Sequence, residues 1–253
     1  MPPEAVMFGA AAVLPAARHT VGMDTPVQVH LDPALQFFLD RRHRPGPVRV
    51  AHDGTATAGH IVQSLGVPLT EVGSLRTGGG PVAPAHRPAP GTVLQVDAVP
   101  RPQPGTRFLL DVHLGKLARR MRLLGLDTAY RNDADDRQLV HRSRIEDRVL
   151  LSRDRGLLQR AALPAGAHVR GTAPDDQLAD VLDRFRPELA PWTRCTACNG
   201  LLRPADKDEV RAELEAGTLR THDEYARCPE CGKVYWRGAH SRRIEAIIRA
   251  ARE

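Results

Sequence analysis

All four cysteines of the sequence fall into two C-x-x-C pairs near its C-terminal end. They are Cys195, Cys198, Cys228 and Cys231. A two-residue gap allows one tight turn to present both sulfurs, and two such turns supply the tetrahedron of thiolates that structural zinc prefers. Asn199-Gly200 follows the first pair and Gly232 the second, and these residues tolerate a positive φ where backbone wraps a metal. We therefore predict a structural zinc ribbon over residues 191–253, whose closed ligand set leaves any chemistry to other residues.

A second candidate site consists of acidic residues next to predicted strands. Asp111 and Asp154 each end a short apolar strand, and Asp135 and Asp136 begin the helix that follows another strand. In an open parallel sheet, ligands gather beyond the carboxyl ends of the strands. Converging carboxylates repel one another unless a hard divalent cation lies among them. Mg²⁺ or Mn²⁺ held in this way orients a phosphodiester and lowers the pKa of a bound water.

The acidic residues also have simpler explanations. An aspartate at a helix N-terminus is a common cap, which would account for Asp135 or Asp136. An aspartate after a strand is an ordinary loop residue. Both interpretations stay open for these side chains at the level of spacing.

Strands and helices alternate over residues 107–190, which predicts a parallel sheet with helices on both faces. The helix predicted at 112–125 has its apolar residues on one face, so we expect Arg119, Arg120 and Arg122 to point outward. The predicted elements, in chain order, are 107–111, 112–125, 126–132, 135–146, 148–154, 167–171 and 174–185.

The first part of the chain has a different pattern. After an irregular start at 1–24, residues 25–99 contain two strands, a helix and further strands, which is the order of a β-grasp fold. The triple glycine at 78–80 lacks the residues of a phosphate-binding loop and predicts a turn. Residues 100–106 are rich in proline and predict a linker.

Composition restricts the class of protein only loosely. The formal net charge is +6, and the first hundred residues hold equal numbers of acids and bases, so the excess lies in residues 101–253. Arginine-rich basic segments suit nucleic acid, although a genome biased towards arginine codons explains them equally well. There is no run of about 18 apolar residues and no basic flank before the apolar start, so we expect no membrane span, no signal peptide and a cytoplasmic protein.

Several stretches together resemble the mut-seven C-terminal RNase domain, a PIN-like nuclease module with its own zinc ribbon that often follows a ubiquitin-like β-grasp domain. They are FLLDVHLGKLARRMRLLGLDT, DDRQLV, RVLLSRDRGLL and the two cysteine pairs. The resemblance implies a PIN-like α/β fold and a metal-dependent ribonuclease. It implies that Asp111, Asp136 and Asp154 are ligands of Mg²⁺ or Mn²⁺, with Asp135 as the alternative to Asp136.

The resemblance also implies contacts with RNA. Arg119, Arg120 and Arg122 would meet phosphates, and Ser152 takes the usual Thr or Ser position before Asp154. Tyr235 and Trp236 either stack on RNA bases or fill the core of the ribbon. The β-grasp domain would recruit a protein partner.

One position departs from the pattern of the family. Many PIN-like domains have a further acid directly after the strand-end turn, where this chain has Arg155-Gly156. Asp175 or Asp176 could supply the missing ligand. The alternative function is a non-catalytic RNA-binding or ribosome-binding protein with a degenerate nuclease domain.

Overall fold

The protein is described by a computed structural model that covers residues 25–43, 46–237 and 241–250. The irregular start expected at 1–24 lies outside the described residues. Within them, the chain forms a five-stranded sheet, a four-stranded sheet and a three-stranded sheet, in that order.

The five-stranded sheet has the strand order β2-β1-β5-β3-β4. Strands β1 and β5 pair in parallel and the other neighbours are antiparallel, which is the β-grasp arrangement predicted for this segment. The turn predicted at the triple glycine connects β3 to β4, with Gly80 at a φ of 114°. The elements are β1 (Val27–Leu31), β2 (Val48–Val50), α1 (Ala58–Ser64), β3 (Val72–Thr77), β4 (Gly80–Val82) and β5 (Val93–Ala98), with 3₁₀ helices at Pro33–Phe38, Arg41–His43 and Leu69–Glu71.

The four-stranded sheet is parallel throughout, with the order β7-β6-β8-β9. It confirms the predicted α/β alternation. Its elements are β6 (Arg107–Leu110), a 3₁₀ helix (Val112–Leu114), α2 (Gly115–Leu123), β7 (Asp127–Tyr130), α3 (Asp136–Ile145), β8 (Val149–Ser152), α4 (Arg155–Leu158), β9 (Gly166–His168) and α5 (Pro174–Phe185).

Both faces of this parallel sheet are buried. Phe108 and Leu110 pack with α2 and α5 on one face, whereas Leu109 and Leu150 pack with α3 and α4 on the other. Because successive side chains of a strand point to opposite faces, these apolar runs require helices on both sides. The carboxyl ends of the strands are therefore the edge of the sheet where loops can build a site.

The three-stranded sheet is the ribbon, and all its strands are antiparallel. Its core is small: Ala205, Val210 and Tyr225 are buried, with Trp236 packed against them. The elements are β10 (Arg203–Ala205), α6 (Lys207–Val210), a 3₁₀ helix (Arg211–Glu213), α7 (Ala216–Thr221), β11 (Tyr225–Arg227), β12 (Val234–Trp236) and α8 (Ser241–Ala250). Helix α8 leaves the ribbon and packs Ile248 against the core of the parallel sheet.

The β-grasp unit is docked directly on the parallel-sheet unit. Glu71 and Arg184 form an ion pair whose side chains are 2% and 6% exposed, and Glu71 also accepts a hydrogen bond of 2.7 Å from the amide of His168. The His168 ring packs against Phe37 and Phe38.

The segment predicted as a linker also takes part in this contact between the units. Gln103 is buried, and its backbone amide donates to the carbonyl of Arg184 at 2.8 Å.

Candidate functional site

The four cysteine thiols converge on one point. Every Sγ atom lies within 4.8 Å of the other three. The Cys195–Cys231 and Cys198–Cys228 sulfur pairs are 3.6 Å and 3.4 Å apart, and all four cysteines are free thiols. A tetrahedral zinc ion with bonds of about 2.3 Å sets its sulfurs about 3.8 Å apart, so the thiols fit this metal with little rearrangement.

Backbone hydrogen bonds shape both cysteine turns. In the first turn the Cys195 amide donates to the Gly200 carbonyl at 2.8 Å, and the Asn199 amide donates to the Cys195 carbonyl at 3.0 Å. The second turn has an equivalent bond from the Gly232 amide to the Cys228 carbonyl, at 2.9 Å. Asn199 and Gly232 have φ values of 79° and 75°, as the positions after each pair predicted. The two cysteine turns are therefore formed by local sequence.

Tyr235 contacts this thiol cluster. Its hydroxyl lies 3.0 Å from the Cys195 sulfur and accepts a hydrogen bond from the Thr196 amide at 3.1 Å. Burial raises the pKa of Cys195, but hydrogen bonds from the Tyr235 hydroxyl and the amides of Cys198 and Ala197 outweigh it and lower this pKa to about 6. A thiolate at neutral pH is the form that binds zinc. Of the two roles considered for Tyr235 and Trp236, the structure shows packing and hydrogen bonding inside the ribbon.

Arg122 joins helix α2 to the ribbon, which corrects the expectation that it points outward. Its side chain is 3% exposed, and it donates to the Thr128 carbonyl at 2.8 Å and to the carbonyls of Thr196 and Ala197 at 3.2 and 2.7 Å. Burial lowers the pKa of Arg122, and the charges of Cys198 and Cys195 counteract that effect. Helical periodicity placed Arg122 on the outer face of α2, but the ribbon covers that part of the face.

Asp111 lies at the carboxyl end of the central strand β6 and is 7% exposed. One of its carboxylate oxygens accepts a hydrogen bond from the Val112 amide at 2.6 Å, which caps the following 3₁₀ helix. The other oxygen accepts from the Ser152 hydroxyl at 2.6 Å. Ser152 is the last residue of the neighbouring strand β8 and is fully buried. Asp111 is thus held rigidly at the predicted edge of the sheet.

Ser152 also connects this edge to Asp154. The Asp154 amide donates to the Ser152 hydroxyl at 2.9 Å, so a single hydroxyl bridges the Asp111 carboxylate and the Asp154 backbone. The Asp154 side chain is exposed and caps α4 by accepting from the amides of Gly156 and Leu157 at 2.7 and 3.3 Å. The structure therefore brings Asp111 and Asp154 to the same part of the sheet edge.

Asp135 and Asp136 make other contacts. Asp135 forms a capping box with Gln138, as the simpler explanation predicted. Asp136 pairs with Arg160 at 2.7 Å. Among the described residues, the four cysteines form the group of metal-ligating side chains within 4.8 Å of one another, and Asp111, Asp136 and Asp154 do not form such a group.

Asp111 and Asp154 follow neighbouring strand ends, and their carboxylate oxygens are of the hard type that Mg²⁺ or Mn²⁺ prefers. Asp136 would have to leave Arg160 to join them. A divalent cation at this edge would therefore have two acids near Ser152 as ligands, and a third, Asp136, whose side chain is paired with Arg160.

The remaining arginines on α2 are solvent-accessible to different degrees. Arg119 is exposed, whereas Arg120 pairs with Asp175 at 2.9 Å. This pairing engages one of the two acids that could have supplied a further metal ligand.

Arg155 stands at the position where many PIN-like domains have an acid. Its side chain donates to the Phe38 carbonyl of the β-grasp unit at 2.8 Å.

Sequence reasoning missed the contacts that Asn199 and Glu71 make. The Asn199 side chain accepts from the Thr128 amide at 2.9 Å and donates to Asp127 at 2.8 Å, which attaches the ribbon to β7. Glu71 directly precedes strand β3, and its partner Arg184 lies 113 residues away in the sequence. No local pattern identifies such a pair.

These features define a protein with an α/β parallel-sheet unit, a β-grasp unit and a four-cysteine ribbon, as predicted for the fold class. Residues 106–248 match the family model of the Mut7-C RNAse domain, and residues 25–104 match the Mut7-C ubiquitin model. The first match spans more than half of the chain, so the protein belongs to the Mut7-C RNAse domain family, and the predicted resemblance is confirmed. Neither a curated protein nor a solved structure matches the chain.

Within residues 25–43, 46–237 and 241–250, every helix is too short or too polar to cross a membrane.

Proposed function

We propose that this protein is a ribonuclease that hydrolyses RNA phosphodiesters at the carboxyl edge of the parallel sheet, with Mg²⁺ or Mn²⁺ as cofactor. The observation that carries the proposal is the Asp111–Ser152–Asp154 arrangement at that edge. Membership of a family named for its RNase domain supports the substrate class.

Asp111 and Asp154 would hold the cation, with Asp136 as the third ligand. A cation held there would lower the pKa of a bound water and neutralise charge on the phosphate. Ser152 keeps the Asp111 carboxylate in place through its 2.6 Å hydrogen bond, and the Val112 amide holds the other oxygen. Because the Ser152 hydroxyl accepts from the Asp154 amide, its own proton is directed at the Asp111 carboxylate.

One observation favours the alternative, a non-catalytic RNA-binding protein. Asp136 is already paired with Arg160, which leaves two acids at the edge instead of three. A cation that enters the site would have to compete with the Arg160 guanidinium for this carboxylate. The two functions therefore differ in whether divalent metal converts RNA binding into cleavage.

The test compares RNA cleavage by the wild-type protein and by the Asp111→Asn and Asp154→Asn variants, with and without added Mg²⁺ or Mn²⁺. Loss of an outer-sphere partner of a metal typically costs 10–100-fold, so we expect loss of a direct ligand to lower the rate more than about a hundredfold. RNA affinity should be retained in both variants. Asp133→Asn is the matched control, because Asp133 is an exposed acid of the loop before α3 that pairs with Arg131.

Cleavage that is unchanged in Asp111→Asn and Asp154→Asn would reject the proposal. Wild-type protein that binds RNA but does not cleave it with either metal would support the non-catalytic alternative.

A further inference from the structure

A cavity of about 320 Å³ lies between the start of helix α2 and the first cysteine turn of the ribbon. Arg119 and Arg122 line it from α2, Tyr130 from β7, and Thr196 and Lys233 from the ribbon. The lining contains three cationic side chains and no acidic one. A concave site of this charge is suited to an anion.

Arg122 forms the rigid part of this cavity. Its Nε and Nη1 atoms are bound to three backbone carbonyls, so the guanidinium charge is held in one position. Within the described residues no carboxylate pairs with Arg122, and the same is true of Arg119 and Lys233. Arg119 and Lys233 are exposed at the rim, and the Lys233 ammonium lies 6.0 Å from the centre of the Tyr235 ring.

The zinc site does not neutralise these cations completely. Four thiolates and one Zn²⁺ carry a net charge of about −2. Three cationic side chains line the cavity, so one positive charge remains even when the metal centre is fully ionised. A monoanionic phosphodiester would balance it.

The cavity adjoins the acidic edge of the sheet. The Tyr130 hydroxyl donates to the Val112 carbonyl at 2.8 Å, and the Val112 amide donates to the Asp111 carboxylate at 2.6 Å. Gly115 makes this contact possible, because a Cβ atom at this position would lie 2.7 Å from the Tyr130 hydroxyl oxygen. One residue, Val112, therefore connects the wall of the cavity to the predicted catalytic aspartate.

We propose that this cavity binds a backbone phosphate of the RNA, next to the phosphodiester that is cleaved. The inference rests on the proposed function, since it takes RNA as the substrate. Arg119 and Lys233 contact the phosphate oxygens from opposite sides of the cavity, and the charge of Arg122 lies beneath them. Contacts of this kind set the position of a strand without reading its sequence. The zinc ribbon thus forms one wall of the substrate site.

The test is a titration of fluorescein-labelled single-stranded RNA, followed by fluorescence anisotropy at several NaCl concentrations. The full chain with Asp111→Asn is compared with the same chain that also carries Arg119→Ala and Lys233→Ala. Loss of one phosphate contact on a single strand should make the slope of log affinity against log salt shallower by about 0.7. Loss of charged hydrogen bonds should weaken binding roughly tenfold at low salt.

The matched control carries Arg49→Ala and Lys207→Ala in the same Asp111→Asn chain. This pair also removes one arginine and one lysine, the exposed Arg49 of β2 and the half-buried Lys207 of α6, which pairs with Asp223, and both lie away from the cavity. Ala197→Glu is a second variant, because it adds an acid to the cavity lining without removing a contact. It should weaken RNA binding as the double substitution does. Equal zinc content in all variants shows that the ribbon is intact.

The results separate this proposal from the proposed function. Affinity and salt slope in the Arg119→Ala, Lys233→Ala chain that equal those of the control would overturn the phosphate site, as would an Asp111→Asn protein that binds no RNA. If Asp111→Asn still cleaves RNA while the double substitution weakens binding, the phosphate site stands and the assignment of the catalytic acids fails.

Discussion

Ser152 is the residue on which the candidate active site depends most directly. Its hydroxyl is fully buried, donates to Asp111 at 2.6 Å and accepts from the Asp154 amide at 2.9 Å. A hydroxyl with two such partners orients a carboxylate in the way that an outer-sphere group orients a metal ligand. The family resemblance predicted a Ser or Thr two residues before Asp154. The hydrogen bond from Ser152 to Asp111 follows from the parallel pairing of β8 with β6.

We predict that Ser152→Ala lowers the rate of RNA cleavage by about 10–100-fold. It should also lower the free energy of unfolding by about 1–3 kcal/mol, because a buried carboxylate oxygen loses its donor. Both quantities are measured on the same preparations, by cleavage assays and by urea unfolding.

Ser143→Ala is the control for this prediction. Ser143 is equally buried and donates to the Arg148 carbonyl at 2.7 Å, away from the acids. It should lose similar stability and keep its cleavage rate. A similar loss of rate in both variants would show that Ser152 acts only through stability.

At the scale of elements, helix α2 and the ribbon form one structure. Arg122 of α2 donates to two carbonyls of the first cysteine turn, and Asn199 of that turn accepts from the Thr128 amide of β7. Helix α2 ends just before Gly125, which has a φ of 84°. Only glycine fits at this position, because a Cβ atom would collide with the Ala190 carbonyl oxygen. The thiol cluster is therefore supported from outside the ribbon.

We predict that Arg122→Met destabilises the protein by at least about 3 kcal/mol, since three carbonyls lose a charged donor. Zinc should also be released faster to a chromogenic chelator, because the first cysteine turn loses its attachment. Lys116→Met is the matched control on the same helix. Lys116 is exposed, and its substitution should change stability by less than about 0.5 kcal/mol.

Wild-type stability and zinc release in Arg122→Met would show that the cysteine turn holds its shape without α2.

At the scale of the whole molecule, the β-grasp unit is held in a defined position on the parallel-sheet unit. The Glu71–Arg184 ion pair is buried at the contact, and Gln63 and Gln159 exchange hydrogen bonds beside it. Arg155, which directly follows the candidate ligand Asp154, donates to the Phe38 carbonyl. The β-grasp unit therefore contacts the helix that Asp154 caps.

We predict that Glu71→Gln lowers the free energy of unfolding by roughly 3–5 kcal/mol, because it leaves the Arg184 charge buried without a counter-charge. Urea unfolding should change from one transition to two as the units separate. Asp97→Asn is the control in the same unit. Asp97 pairs with Arg76 at an exposed position, where an ion pair contributes less than about 1 kcal/mol. A single unchanged transition in Glu71→Gln would show that the units are coupled by other contacts.

The sequence by itself determined the features that depend on local spacing. The two C-x-x-C pairs predicted the thiol cluster, because each pair is formed within one turn. Alternating strand and helix patterns predicted the parallel sheet, and hence that Asp111 and Asp154 lie at one edge. Asp135 was correctly considered as a helix cap because capping involves residues three apart.

Only the tertiary structure decided which of the distant groups meet. Helical periodicity placed Arg122 on an outer face, but packing of the ribbon 74 residues later buried it. Asp136 was expected at the acid cluster and instead pairs with Arg160. Glu71 of the β-grasp unit forms an ion pair with Arg184 of the parallel-sheet unit. Such contacts depend on how whole elements pack, so the same residue types at the same spacing are compatible with several outcomes.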